Sequence, residues 1–426
     1  MTAASRLSSD LTEEMLAMGQ AARAAAARLR DTTADLRTRA IREMARQIRL
    51  DAGAILAANR ADLAAAAARL TGPELDRLAL DPARLEGLAA GVDAVADIPD
   101  PVGQETARWQ RPNGLDFARV RTPIGVIAVI YESRPNVTAD AAALTLRSGN
   151  AVILRGGSEC LQTSLALHAA IVRALESVGL PPATVSMVPT ADREAVGLLL
   201  SGLGGTVDLL IPRGGKSLVA RVRSEARVAV LGHLEGLNHV YVHAAADPDI
   251  ARQVVLNSKM RRVSVCGAAE TLLIDARIAP ELLPRIAADL TAAGCELRGD
   301  GRARALVPEM VAASEADWTT EYLAPILSVR VVDGLEAAMA HIATYGSGHT
   351  DCIVTGDPAA AEAFTAGVDS AIVLVNVSTQ FADGGEFGFG AEIGIATDRL
   401  HARGPVGAEQ LTSFKYVVRG TGQTRP

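Results

Sequence analysis

At 426 residues, 49% hydrophobic and 21% charged, the chain is long enough for two or three domains with sizeable cores and too apolar for a disordered protein. A formal net charge of −7 argues against a binder of phosphate backbones, which needs a basic face, so no nucleic-acid partner is expected. Four cysteines without paired spacing fit neither a disulfide framework nor a CxxC zinc site, and no metal is expected.

The opening stretch, MTAASRLSSDLTEEML, has acids where a secretory signal would carry an apolar core. The first hundred residues have a helical pattern. Thr32 to Asp35 reads as a capping-box-like start, followed by Ile41, Met44 and Ile48 at helical spacing. Residues 61–70 continue this character until Pro99, Pro101 and Gly103 break it. From residue 124 short apolar runs take over, at Val126–Tyr131, 151–154, 185–188, 207–211, 228–231 and 239–243. Segments of helical length, such as 163–179 and 192–203, separate them, which predicts a parallel sheet covered by helices. The strongest apolar stretch, 124–131, is far shorter than a membrane span, so a cytoplasmic protein with no membrane partner is expected. A second set follows at 271–274, Ile326–Val332, 352–355 and 371–375. Two α/β units in succession are therefore predicted. Residues 116–121 and Thr412–Arg419 alternate outside both sets and read as strands able to pair with each other and offer an edge to a second subunit.

Cys266 carries the strongest chemical signal. It lies in NSKMRRVSVCGAAET, with Lys259, Arg261 and Arg262 upstream and Gly267, Ala268 and Ala269 after it. Cations favour the reactive thiolate, and small neighbours leave room for a carbonyl. Cys160, Cys295 and Cys352 read instead as small buried hydrophobes. In AVILRGGSEC, Gly156 and Gly157 follow a buried run and permit close backbone approach to a ligand, with Arg155 able to pair with a phosphate; a plain glycine turn reads equally well. In IPRGGKSL, Gly214 and Gly215 open a helix whose N-terminus suits a pyrophosphate. Leu210 stands where a P-loop needs glycine, and Ile393 spoils the one GxGxxG candidate. Ser133–Arg134–Pro135–Asn136 closes the strand Val126–Tyr131, so the Asn136 amide reads either as an oxyanion donor or as part of an ordinary turn. Residues 381–390, FADGGEFGFG, read as a loop near a ligand or as a plain irregular turn. His401 and Arg403 read as site or surface residues, while His239 and His243 fall in a strand and form no helical ligand pair.

Five strings in order, PIGVIAVIYESRPNVT, GNAVILRGG, LIPRGG, SVCGAAETLL and FADGGEFGFGAEIGIATDRLHARGPVGAEQLTSFKY, resemble the γ-glutamyl phosphate reductases, a branch of the aldehyde dehydrogenase superfamily. The resemblance runs from about residue 11 to 418. It implies an aldehyde dehydrogenase-like α/β fold of two domains with mostly parallel sheets and a small β oligomerisation flap. Residues 1–105 and 124–232 would form the NADP(H)-binding domain, 233–406 the catalytic domain, and 106–123 with 407–426 the oligomerisation strands. It further implies that the Cys266 thiolate attacks L-glutamyl 5-phosphate to give a thioester, with Asn136 and the Cys266 N–H holding the oxyanion. NADPH then reduces the thioester to L-glutamate 5-semialdehyde, in proline biosynthesis. Cofactor contacts fall on Arg155, Gly156, Gly157, Ser158, Arg213, Gly214, Gly215 and Glu321. The lack of an acid at Ser158 favours a 2′-phosphate, while Glu235, in the segment that holds a hydrolytic base in other relatives, receives no role. Substrate contacts fall on Arg134, Lys259, Arg262 and His401. A homodimer or higher homo-oligomer and a transient association with glutamate 5-kinase are expected. Two alternatives stand beside this: an oxidative NAD(P)-dependent aldehyde dehydrogenase, and a catalytically silent scaffold for a kinase partner.

Overall fold

The helix Ala34–Leu50 shows how the amino-terminal third is built. Thr33, one residue later than the sequence pattern indicates, caps it by accepting a hydrogen bond from the Leu36 N–H. Ile41, Met44 and Ile48 lie on its buried face and pack against the helices Pro82–Asp97 and Leu161–Ser177. Each such side chain contributes about 1.5–3 kcal/mol by leaving water. In this computed structural model, residues 3–70 and 72–425 are described. They divide into two units, Met1–Gly232 with Gly388–Gly394 and Val406–Pro426, and His233–Phe387 with Ile395–Pro405.

The first unit holds a five-stranded sheet, all of whose pairs are parallel. Its order is Val185–Met187, Ala151–Gly156, Val126–Tyr131, Leu209–Arg213 and Ala229–Val230. Every residue of Val126–Tyr131 is buried, which is why that run is continuously apolar rather than alternating: helices cover both faces. A separate antiparallel sheet places Asp116–Pro123 between Glu105–Gln110 and Thr412–Arg419. The expected pairing of the two outlying strands is thus present, with Arg119 opposite Tyr416. The third strand, ETARWQ, was not anticipated, because it is almost wholly exposed and carries no apolar alternation. Phe414, Tyr416 and Val418 remain exposed on Thr412–Arg419.

The second unit holds a seven-stranded parallel sheet. Its order is Val311–Ala312, Glu296–Gly299, Ile326–Val332, Ala269–Asp275, Asn238–Val242, Thr350–Val354 and Ile372–Val375. The strand period of two divides its core. Val240, Val242, Leu272 and Ile274 face the helices Pro248–Met260 and Ala279–Ala292, while Tyr241, Leu273 and Ile353 pack with Phe364 and Ile342 on the other side. The strands Glu296–Gly299 and Val311–Ala312, at one side of the sheet, are short and gave no apolar run to find. No described helix is long and apolar enough to cross a membrane.

Candidate active site

In the first unit the glycine loops lie where parallel strands end. Gly156 closes its strand and Gly157 precedes a 3-10 turn, Ser158–Cys160. A side chain on Gly157 would collide with the Glu159 carboxylate, at 2.1 Å from Oε1. Together with Glu132, Arg193, Ser217 and Arg221, the residues Arg155, Gly157, Ser158 and Glu159 line a cavity of about 460 Å³. Arg155 is 8% exposed; its Nη2 donates to Ala191 O at 2.9 Å, and its Nε has no hydrogen-bond partner. Glu159, which lines the cavity, accepts from the Ser133 N–H at 2.5 Å. The Gly215 N–H, at the cap of the helix Lys216–Glu225, is taken by Glu132 Oε2 at 2.9 Å. A side-chain carboxylate therefore occupies the position that the sequence reserves for a cofactor phosphate.

Asn136 opens the helix Asn136–Arg147 directly after the strand Val126–Tyr131. Its side chain is exposed and donates to Asp140 Oδ2 at 2.9 Å. Burial raises the Asp140 carboxyl to about 6.

In the second unit the nucleophile candidate sits at the opposite edge of its sheet. Cys266 precedes the strand Ala269–Asp275, in a turn closed by the Ala268 N–H on Val265 O at 3.0 Å. Two residues hold this turn. Asn238, fully buried at the start of Asn238–Val242, donates its amide to Cys266 O at 2.6 Å and Ala268 O at 2.8 Å, and accepts from the Thr350 N–H at 3.1 Å. Gly236 lies against the same carbonyl so closely that a Cβ there would stand 2.2 Å from Cys266 O. The Gly236 N–H is in turn fixed by Glu321 Oε1 at 3.0 Å.

Cys266 is partly exposed, and its side chain packs against Ile372, Ala382 and Ile395. The other three cysteines are buried. Burial pushes Cys160 and Cys352 up to about 12 and Cys295 to about 11, far from thiolate formation near neutrality. Two imidazoles come close to the sulfur: one ring nitrogen of His233, one of His349 and Cys266 Sγ all lie within 4.8 Å of one another.

The cations upstream of Cys266 behave differently from their sequence pattern. Lys259 is wholly buried, with its ammonium on Glu270 Oε2 at 2.6 Å, so it is committed to an ion pair inside the fold. Burial raises Glu270 to about 7 against the opposing pull of Lys259. Arg262 is exposed, and its carbonyl accepts from Gln380 at 3.2 Å. His401 is exposed, whereas Arg403 is anchored to Asp369 at 2.8 Å.

The family model of the aldehyde dehydrogenase family matches residues 4–296. A γ-glutamyl phosphate reductase of Caulobacter sp. (strain K31) is 71% identical over 98% of this chain and 100% of its own. One from Caulobacter vibrioides is 72% identical over 97% of this chain and 100% of its own. The crystal structure of γ-glutamyl phosphate reductase from Thermotoga maritima superposes with a TM-score of 0.94, at 42% identity, over 97% of this chain and 100% of that one. The chain belongs to the γ-glutamyl phosphate reductases, within the aldehyde dehydrogenase family.

It is thus an oxidoreductase with the α/β fold of the aldehyde dehydrogenases, its two larger sheets parallel. For a γ-glutamyl phosphate reductase the sequence motifs locate the cysteine loop and the glycine loops, but not the groups that hold them. Asn238, His233 and His349 carry no local signal. Glu132, Arg193 and Arg221, which line the first-unit cavity, were also not singled out.

Proposed function

We propose that this protein reduces L-glutamyl 5-phosphate to L-glutamate 5-semialdehyde with NADPH, the second step of proline biosynthesis from glutamate. The observation that carries the reading is the state of Cys266: alone among the four cysteines it is partly exposed, and its backbone is clamped by Asn238 and Gly236. Pre-positioning of this kind lowers the entropy cost of attack. The Cys266 thiolate adds to the acyl carbon, and the bond to the phosphate oxygen breaks, so inorganic phosphate leaves with the electron pair. Asn136 and the Cys266 N–H stabilise the oxyanion before that collapse. NADPH, when bound, supplies the hydride that reduces the thioester carbonyl. The resulting oxyanion then expels the Cys266 thiolate and frees the aldehyde.

The cavity of the first unit fits the adenosine end of such a cofactor: Arg155, Arg193 and Arg221 converge there, and the partnerless Arg155 Nε is a donor awaiting an acceptor. Ser158 at its rim brings no negative charge against a 2′-phosphate, and Glu159 is held by Ser133. Gly156, Arg213, Gly214 and Gly215 shape the strand ends beside it, and Glu321 is the assigned contact for the nicotinamide ribose. We assign substrate anions to Arg134, Arg262 and His401, and give Lys259 a structural role because Glu270 neutralises it. Phe414, Tyr416 and Val418 on the outer strand fit pairing with a second copy into a dimer or higher oligomer, in the cytoplasm. A glutamate 5-kinase must supply the labile acyl phosphate, and a transient complex would shorten its exposure to water.

A coupled assay tests the reading: glutamate, ATP and a glutamate 5-kinase with NADPH should give cofactor oxidation that depends on the kinase. Run backwards, NADPH formation from the semialdehyde should require phosphate or arsenate. Phosphate-independent oxidation would make the protein a hydrolytic aldehyde dehydrogenase instead.

A further inference from the structure

The two imidazoles beside Cys266 have no part in the chemistry above. His349 is fully buried; its Nδ1 meets Thr350 Oγ1 at 2.8 Å, and its Nε2 has no hydrogen-bond partner. A buried polar nitrogen left so costs stability unless something is meant to meet it. His233 lies edge-on to it, with ring centroids 4.9 Å apart. The His233 Nδ1 contacts Ile395 O at 2.7 Å. A carbonyl only accepts, so the His233 Nδ1 carries the proton in this contact. Both rings are thus oriented by a hydrogen bond at Nδ1, the outer-shell arrangement that fixes metal-binding histidines.

We propose that Cys266, His233 and His349 form a site for a thiophilic divalent cation of the zinc class, and that its occupancy withdraws Cys266 from acylation. One thiolate and two imidazoles make a borderline-soft donor set, and among the described residues no carboxylate joins the cluster, which disfavours magnesium and calcium. Three ligands leave one tetrahedral position open. Metal–ligand bonds of about 2.0–2.3 Å place tetrahedral donors about 3.3–3.8 Å apart. Donors that already lie within 4.8 Å of one another need to close by about 1 Å or a little more. On binding, the sulfur–metal bond forms, the thiol proton leaves to solvent, and no electron is transferred. The sulfur lone pair held by the metal is then unavailable to an acyl carbon. The withdrawal half of this proposal rests on Cys266 being the nucleophile; the binding half does not.

The test uses the reduced full-length protein, freed of chelators, and cobalt(II) as probe. One equivalent should produce a thiolate-to-cobalt charge-transfer band with intense tetrahedral visible absorption, displaced by zinc. The band should vanish in Cys266→Ser, and apparent cobalt affinity should fall at least about tenfold in His233→Gln and His349→Gln, as losing even an outer-shell partner costs that much. If His349→Gln does not fold, His233→Gln and Cys266→Ser carry the comparison. Zinc should slow turnover reversibly by chelation, with the His233→Gln enzyme at least about tenfold less sensitive relative to its own metal-free rate. Absence of the band in a wild type whose Cys266→Ala variant is inactive overturns the metal site and leaves the nucleophile standing. A full band with undiminished turnover overturns the withdrawal, and the nucleophile assignment with it.

Discussion

The two parallel sheets present their chemistry at opposite edges. In the first unit, Asn136, Gly156–Gly157 and Arg213–Gly215 all follow the carboxyl ends of strands, where helices begin. That edge is rich in backbone N–H groups and suits phosphates. In the second unit, Asn238, Cys266 and His349 all sit at the amino ends of strands, just where the helix Pro248–Met260 has finished. Side chains position that edge: the Asn238 amide holds the Cys266 carbonyl, and the Glu321 carboxylate holds the Gly236 N–H. Six of the seven histidines lie in the second unit, and only His168 in the first. One fold motif thus provides two kinds of candidate site, one at the carboxyl ends of strands and one at their amino ends.

The sharpest way to break this contrast is Cys266→Ala. It should lower turnover by about 10⁴ or more while NADPH binding, measured by fluorescence, is unchanged. Loss of cofactor affinity as well would show that the two edges are not independent. Asn238→Ala strands two carbonyls and one N–H in the core, at about 1–3 kcal/mol each. It should lower the melting temperature and cut kcat by about a hundredfold through misplacement of Cys266. A change in stability without a change in kcat would reduce Asn238 to a packing residue. Asn136→Ala should also cost on the order of a hundredfold in kcat, the scale for one oxyanion donor. A variant altered in KM alone would confine the first unit to binding. Ser158→Glu should lower the preference for NADPH over NADH by about five- to tenfold, as one added charge near 4 Å is worth about 1 kcal/mol in water. An unaltered ratio of kcat/KM values would place the 2′-phosphate elsewhere.

A separate effect, confined to the second unit, is expected in acid stability. Burial pushes His341 down to about 3 from 6.5, so the folded second unit holds this ring neutral. Between those values the unfolded chain binds one more proton than the folded one, and stability falls as pH falls, by about 1.4 kcal/mol per pH unit. His341→Gln should flatten that slope in urea titrations across pH 4–6; an unchanged slope would move the sensitivity to other groups.

Buried strands were plain in the sequence, since burial on both faces leaves an uninterrupted apolar run, as in Val126–Tyr131. The exposed strand Glu105–Gln110 leaves no such trace. Cys266 was legible because its setting is local. Asn238 and His349 were not, because only strand register brings them near it: Asn238 pairs beside Ala269, and Asp351, two residues after His349, pairs beside His239. Lys259 misleads for the converse reason. A cation near the cysteine in sequence is drawn by the last helical turn against Glu270, and its charge is spent inside the fold.

Gly236 has a bearing on any attempt to retool this enzyme for other acyl groups. With 2.2 Å between a hypothetical Cβ and the Cys266 carbonyl oxygen, even alanine at this position forces the Cys266 backbone to move. A mutagenesis library that randomises this turn would consist mostly of enzymes with a displaced sulfur, whatever the new pocket shape. Diversity is better introduced at an exposed neighbour such as Arg261, leaving the Gly236–Asn238 clamp as fixed scaffold.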